Sequence, residues 1–305
     1  MSDVLTLLAA PFVQRAFLIG ILIALLSSLL SVFIVLKNVS LIGDGLAHTA
    51  FGGLAIGYYV GVVPAWSAAA LVVLGSMGIT KLNRSAKIPS DAAVAVFLTL
   101  GLASGILFYQ LGRGFGVNLE SLLFGSILLA TVDQLVIALV VLATTVAGLL
   151  ISFSKLVYTT FNETQAQAAG IRTWVYDYWV SILAGIAVVV SIPIAGILLI
   201  AALLVLPGLT SIQVAHSFRQ TMILSPVFGL LSVVAGIFFS LVLDVAPGAA
   251  IVLTGLGILT GVVALRKLAI RLAREGRGSE TPKAQTASGD GPADGPQSPY
   301  GERRY

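Results

Sequence analysis

Cysteine is absent from this chain, and histidine occurs only twice. The first absence excludes disulfides, thiolate metal sites and cysteine nucleophiles, and it leaves the redox compartment open. Charge is scarce as well: 10% of the 305 residues are charged, against 58% hydrophobic. No soluble domain of this length holds so much apolar sequence, and a mean hydropathy of +1.03 reads as a polytopic membrane protein. A phosphate-cradling Gly-rich loop with its lysine is missing, as is any nucleophile-triad pattern. ATP hydrolysis is therefore not expected on this chain, which reads as a non-enzyme. A clear cleavable signal is also missing, because the first long apolar run, Phe17 to Leu36, has spanning length. The net charge of +4 is no sign of nucleic-acid binding, since eight of the basic residues lie at or beyond Arg266.

What the sequence does contain is a series of apolar runs, and the fold class they predict is an all-α bundle of eight or nine transmembrane helices. The spans read as Phe17–Leu36, Leu46–Val63, Ala65–Thr80, Ala92–Leu111, Gln134–Phe153, Tyr178–Ile194, Ala195–Ala215, Met222–Leu243 and Ala249–Leu265. Val180 to Ala215 is one apolar run interrupted by Pro193. As a single helix it would be about 54 Å long, so the sequence predicts a break at Ile192-Pro193. Pro207-Gly208 predicts a kink. Three domains follow: an interfacial segment at 1–16, the membrane domain at 17–265, and a basic then disordered tail at 266–305. Alternate loops carry Lys37; Lys81, Arg84 and Lys87; Lys155 and Arg172; and Arg219. The opposite loops carry only Arg15 and Arg113. The positive-inside rule then places the first set and the C-terminus in the cytoplasm of a multi-pass inner-membrane protein.

Asp44 and His48 stand four residues apart inside this apolar chain. On a helix they share one face, one turn apart, where a hard oxygen and a borderline nitrogen converge on one zinc, manganese or ferrous ion. Ionisable groups at membrane depth are functional candidates by default. The plainer reading stays open beside it: Asp44 as a helix cap, His48 as a packed polar residue. His216 reads as an imidazole at a helix C-terminus in preference to a second ligand. Asp133, Asp177 and Asp244 read as span-end carboxylates with structural roles.

Two loops exceed simple connectors. The outer one, Gly112 to Asp133, holds the amphiphilic piece Val117 to Phe124. The inner one holds Asn162-Glu163-Thr164-Gln165-Ala166-Gln167-Ala168-Ala169-Gly170, with a good N-cap in Asn162 and a good stop in Gly170. It predicts a short cytoplasmic helix, either an ordinary surface element or a docking element for a partner.

Three pieces together resemble a known family: Phe33 to His48 with Phe51-Gly52-Gly53; Val117 to Gly125; and the Asn162–Ile171 helix with Leu198 to Pro207 and Pro247 to Ile251. Across roughly Phe12 to Leu265 the chain is similar to the membrane-spanning permease of the zinc/manganese/iron ABC importers, the Ser-Leu-Ile-Gly-Asp-x-x-x-His piece being the most specific part. The resemblance implies a permease that moves a divalent metal ion as cargo, with no tightly bound cofactor. Two copies would form the path, with cytoplasmic ATPase subunits below and a metal-binding receptor outside. Asp44 and His48 would be the metal pair. The short helix would be the coupling helix, presenting Asn162, Glu163, Gln165, Ala166, Ala169 and Gly170 to the ATPase. Zinc is the first choice because it accepts mixed His and carboxylate ligands at low coordination number. The alternatives are a metal-chelate permease, for a siderophore or cobalamin, which would have no need of Asp44 and His48, and a secondary cation transporter, which would leave the coupling helix idle. An intramembrane metalloenzyme lacks a sufficient ligand set.

Overall fold

The computed structural model describes residues 10–85, 88–114, 125 and 130–278. The amphiphilic piece Val117–Phe124, Lys87, the first nine residues and the tail beyond 278 lie outside the described residues. Among the described residues every regular element is a helix: α1 Pro11–Leu36, α2 Ile42–Val60, α3 Pro64–Ser85, α4 Ser90–Leu111, α5 Val132–Phe161, α6 Glu163–Ala168, α7 Thr173–Leu203, α8 Leu206–Val214, α9 Phe218–Leu243 and α10 Pro247–Gly278.

Local chemistry sets many of the ends. Pro11 opens α1 in its first turn, where the missing N–H has no partner to lose. Thr131 caps α5 in a reciprocal box with Gln134. Ser217 caps α9, and Asp244 closes it in the left-handed conformation. The helical run of α10 continues through the expected boundary at Leu265 as far as Gly278. By packing the chain divides at Arg266–Lys267; the bundle is the first unit, and the second begins with the end of α10.

Within the bundle, α1 is the most enclosed long helix, touching α5, α7, α8 and α9. α2 is embedded among α3, α4 and α7. The outward faces carry large apolar side chains such as Leu150 and Ile151 of α5 and Ile223 of α9, as lipid contact requires. The chain is a multi-pass integral membrane protein. Among the described residues seven stretches are long and apolar enough to cross a bilayer, with 173–214 counted as one stretch of 42 residues.

That stretch doubles back. Gly185 packs beside Leu46 of α2, and Ala201 and Leu204 pack against Gly43 of the same helix. A straight helix would hold residues 185 and 201 about 24 Å apart, so the chain must reverse between them. The reversal is at Gly196, whose φ of 78° and ψ of 165° belong to a region open only to glycine. The break therefore falls three residues past Pro193, which stays helical. A second break at Leu204–Val205 separates α8. Here Ser31 of α1 accepts a hydrogen bond from the Gly208 N–H at 2.9 Å and donates to the Val205 carbonyl at 3.2 Å. The kink expected at Pro207-Gly208 is thus a helix start, satisfied by a side chain from another element. Counting the reversal, and adding the glycine-rich α2, which falls outside the seven, accounts for the nine spans read from the sequence.

Candidate functional site

α2 sits where it does because its glycines remove the side chains that would hold its neighbours away. A Cβ at Gly45 would lie 2.5 Å from the Val94 side chain, one at Gly52 2.8 Å from the Gly101 carbonyl, and one at Gly53 2.5 Å from the Ala68 Cα. The approach is reciprocal: a Cβ at Gly101 would lie 2.5 Å from the carbonyl oxygen of His48. Backbone meets backbone along both α3 and α4, the close approach that small residues permit in membranes.

These contacts fix the depth of the pair. Thr49 packs against Gly75, and His48 against Gly101. Residues 75 and 101 lie at the middle of α3 (64–85) and α4 (90–111). His48 is therefore at mid-height of its neighbours, although it is only six residues into α2. α2 begins inset, about 6 Å short of the ends of α3 and α4 by helical rise. The nearness of Asp44 to a predicted span end is a property of sequence position and not of depth in the bundle.

Asp44 does not cap α2. The N-cap position is Leu41, which makes no side-chain cap, and Asp44 stands in the first turn, where the helix dipole favours a carboxylate. Its Oδ1 lies 3.5 Å from His48 Nε2. Two donors at that separation can both lie about 2.1 Å from one ion, with a near-tetrahedral angle between them. The Asp44 side chain is 40% exposed and that of His48 17%, so the pair is open on one side. The other imidazole nitrogen, Nδ1, is buried without a hydrogen-bond partner. Among the described residues no group of three or more His, Asp or Glu side chains assembles. Among the described residues one chain thus offers this pair of ligand-type side chains with no third beside it.

α6 forms as read. The Asn162 side chain accepts from the Gln165 N–H at 3.0 Å, and Gly170 follows with φ +77°. Gln165 and Ala169 are exposed. Ala166 is not: it is completely buried within the chain, so it seats α6 on its own bundle and cannot present itself to a partner. Glu163 is turned partly inward, receiving Thr173 Oγ1 at 3.0 Å, Gln167 Nε2 at 3.1 Å and Arg84 Nη1 at 3.2 Å. Asp177, read above as a span-end carboxylate, binds Lys37 Nζ at 2.5 Å and also Arg84. His216 lies exposed in the turn between α8 and α9, its backbone N–H held by Gln220. The ion-pair network was invisible to spacing, because its members lie at 37, 84, 163 and 177. Its one signal was that the loops carrying them alternate to one side.

The model of the ABC 3 transport family matches residues 9–266. The chain belongs to this family. The permease is 30% identical over 247 residues to the manganese transport system membrane protein MntC of Halalkalibacterium halodurans, covering 81% of this chain and 85% of that one. It is 29% identical over 243 residues to the manganese import system permease protein ScaB of Streptococcus parasanguinis, covering 80% and 86%. Among solved structures it is similar to PsaBC from Streptococcus pneumoniae in complex with Fab, with a TM-score of 0.76, 28% identity, and 86% and 94% of the two chains covered. The permease is thus the membrane subunit of a metal ABC importer, a transport component whose ATPase is a separate subunit. A gradient-driven carrier is set aside by this membership.

Proposed function

We propose that the permease conducts manganese as a bare divalent ion, with Asp44 and His48 as its ligands at mid-membrane. The observation that carries this reading is the Asp44–His48 pair itself, 3.5 Å apart and open on one side, on the helix most closely packed by backbone contacts. A carboxylate with an imidazole suits manganese, zinc and ferrous iron alike. The sequence preference for zinc rested on coordination number; the names of the relatives favour manganese, and zinc becomes the comparison in the test. A bulky chelate would satisfy its own metal and leave this pair without a task.

Two ligands fall short of the four that zinc prefers and of the six of an octahedral manganese site. The reading therefore includes a second copy of the permease, each contributing its pair to a shared path, with ATPase subunits on the basic side and a metal-binding receptor on the other. The basic side is cytoplasmic by the positive-inside rule. There α6, through Gln165, Ala169 and the ends marked by Asn162 and Gly170, is the docking surface for the ATPase.

The test is transport by the reconstituted permease–ATPase complex. His48→Ala and Asp44→Ala should each reduce uptake of labelled manganese by at least about tenfold, the effect expected for a ligand or its oriented neighbour. ATPase copurification should be unchanged. Uptake of manganese, zinc and iron at the parent rate in both variants would reject the pair as ligands. Zinc uptake at high rate, with manganese refused by the parent, would keep the site and replace the metal.

A further inference from the structure

At the basic end of the bundle, four elements distant in sequence are joined by charge. Lys37 closes α1, Arg84 lies in the last turn of α3, Glu163 opens α6, and Asp177 stands in the second turn of α7. Asp177 holds Lys37 with one oxygen and Arg84 with the other. Arg84 in turn reaches Glu163 at 3.2 Å and Thr173 at 3.3 Å. Two cations and two carboxylates thus form one chain, Glu163–Arg84–Asp177–Lys37, running from α6 to the end of α1.

Its placement has mechanical meaning. α6 packs directly on α5 and α7. Its tie to α3 is the Arg84–Glu163 pair. The tie from α7 to the turn between α1 and α2 is the Lys37–Asp177 pair, and that turn leads within seven residues to Asp44. A cavity of about 410 Å³ opens among these groups, with Asn38, Ile42, Asn83 and Ser181 on its walls. The charges therefore border space, where a guanidinium shared between two carboxylates can change its share without repacking a core. Ion pairs so placed add little to stability, yet removing one member leaves the others facing an uncompensated charge.

We propose that Arg84 and Asp177 are positioning residues that convey displacement of α6 to Lys37, and so to the start of α2 and its Asp44–His48 pair. The inference rests on α6 being the docking surface for the ATPase. On docking or release, movement of Glu163 draws Arg84, and Asp177 passes the change to the α1–α2 turn. The metal pair then changes its surroundings in step with hydrolysis, with no contact between the ATPase and the membrane interior.

The experiment uses the permease–ATPase complex in proteoliposomes, reading manganese taken up per ATP hydrolysed. Arg84→Gln, Glu163→Gln and Asp177→Asn should each lower this ratio by about fivefold or more, the lower range of coupling between sites. For Arg84→Gln and Asp177→Asn, which lie outside α6, basal hydrolysis and the permease-to-ATPase ratio should stay as in the parent. The Arg84→Gln/Glu163→Gln double variant should be no worse than either single, as for residues acting through one contact. Asp177→Glu should restore part of the ratio. Multiplying losses in the double variant, or an unchanged ratio in the singles, would overturn the relay. Ala169→Trp on the exposed end of α6 separates the two readings. If it leaves docking and coupling intact, α6 is not the coupling element and the premise fails. If it uncouples while the charge variants do not, the relay alone is wrong. Should Asp177→Asn fail to assemble, the Arg84 and Glu163 pair, which is more exposed, decides the matter.

Discussion

At the scale of single residues, the glycines of α2 do more to define the site than its charges do. Asp44 and His48 need only be one turn apart, which any helix provides. Bringing them to mid-height needs α2 to lie against two other backbones. Gly53 shows the cost of disturbing this: an added Cβ would meet the Ala68 Cα at 2.5 Å and the Ser67 carbonyl at 2.9 Å, neither of which can swing away. Gly53→Ala should lower stability by about 1–3 kcal/mol, as overpacking does. Gly257 in α10 has nothing within 4 Å of the same position. Gly257→Ala should be neutral or gain up to about 1 kcal/mol from helix propensity. Thermal unfolding of the two variants in detergent checks the pair; equal melting temperatures would show that α2 can move aside freely. The orphan Nδ1 of His48 belongs to the same picture. A buried nitrogen without a partner is unusual in a packed interior, and it is tolerated here next to the one face of α2 that is open.

At the scale of elements, what could be read from the sequence was what is local. The i, i+4 spacing of Asp44 and His48, the Asn162 cap and Gly170 stop of α6, and the apolar length of each span all depend on neighbours in the chain. The errors came from choices settled by other elements. Proline is the stronger breaker on sequence grounds, which points to a reversal at Pro193. A helix can carry a proline where the lost donor is tolerated, whereas the backbone of Gly196 has a conformation that no side chain permits. Ser31 satisfying the start of α8 from α1 has no sequence signal at all, and neither does the convergence of Lys37, Arg84, Glu163 and Asp177. Ala166 illustrates the same limit: a short helix has an inner and an outer side, and its composition does not say which alanine faces in. The reversal gives a direct check. Gly196→Ala should cost about 1–3 kcal/mol in backbone strain, and residue 125 lies against the Ala195–Gly196 turn, leaving little room to relieve it. Pro193→Ala should cost far less, its ring being exposed. Folded yield of the two variants in membranes decides it; a larger loss at Pro193 would restore the proline as the determinant of the turn.

At the scale of the whole molecule, the open face of α2 is where the second copy proposed above would sit. Leu41, Asp44 and His48 follow one another at helical spacing on the side of α2 that its neighbours leave uncovered, and Leu41 is 48% exposed. In a membrane, two such stripes brought together across a two-fold axis would offer two carboxylates and two imidazoles, twice the pair that one chain carries. The absence of cysteine makes this testable without background. A Leu41→Cys variant carries a single thiol, three residues before Asp44 and on the same stripe. If two copies face each other through α2, a short bifunctional thiol reagent should join Leu41→Cys protomers into dimers in native membranes. Manganese should slow or hasten that reaction by occupying the shared path, while a thiol on the lipid side, as in Ile151→Cys, should give no such response to metal. Failure of Leu41→Cys to cross-link in complexes that still transport would mean that each pair works within its own protomer. The missing ligands would then have to be water, and a site of two protein ligands with water would hold manganese more comfortably than zinc, since manganese accepts several waters in an octahedral shell.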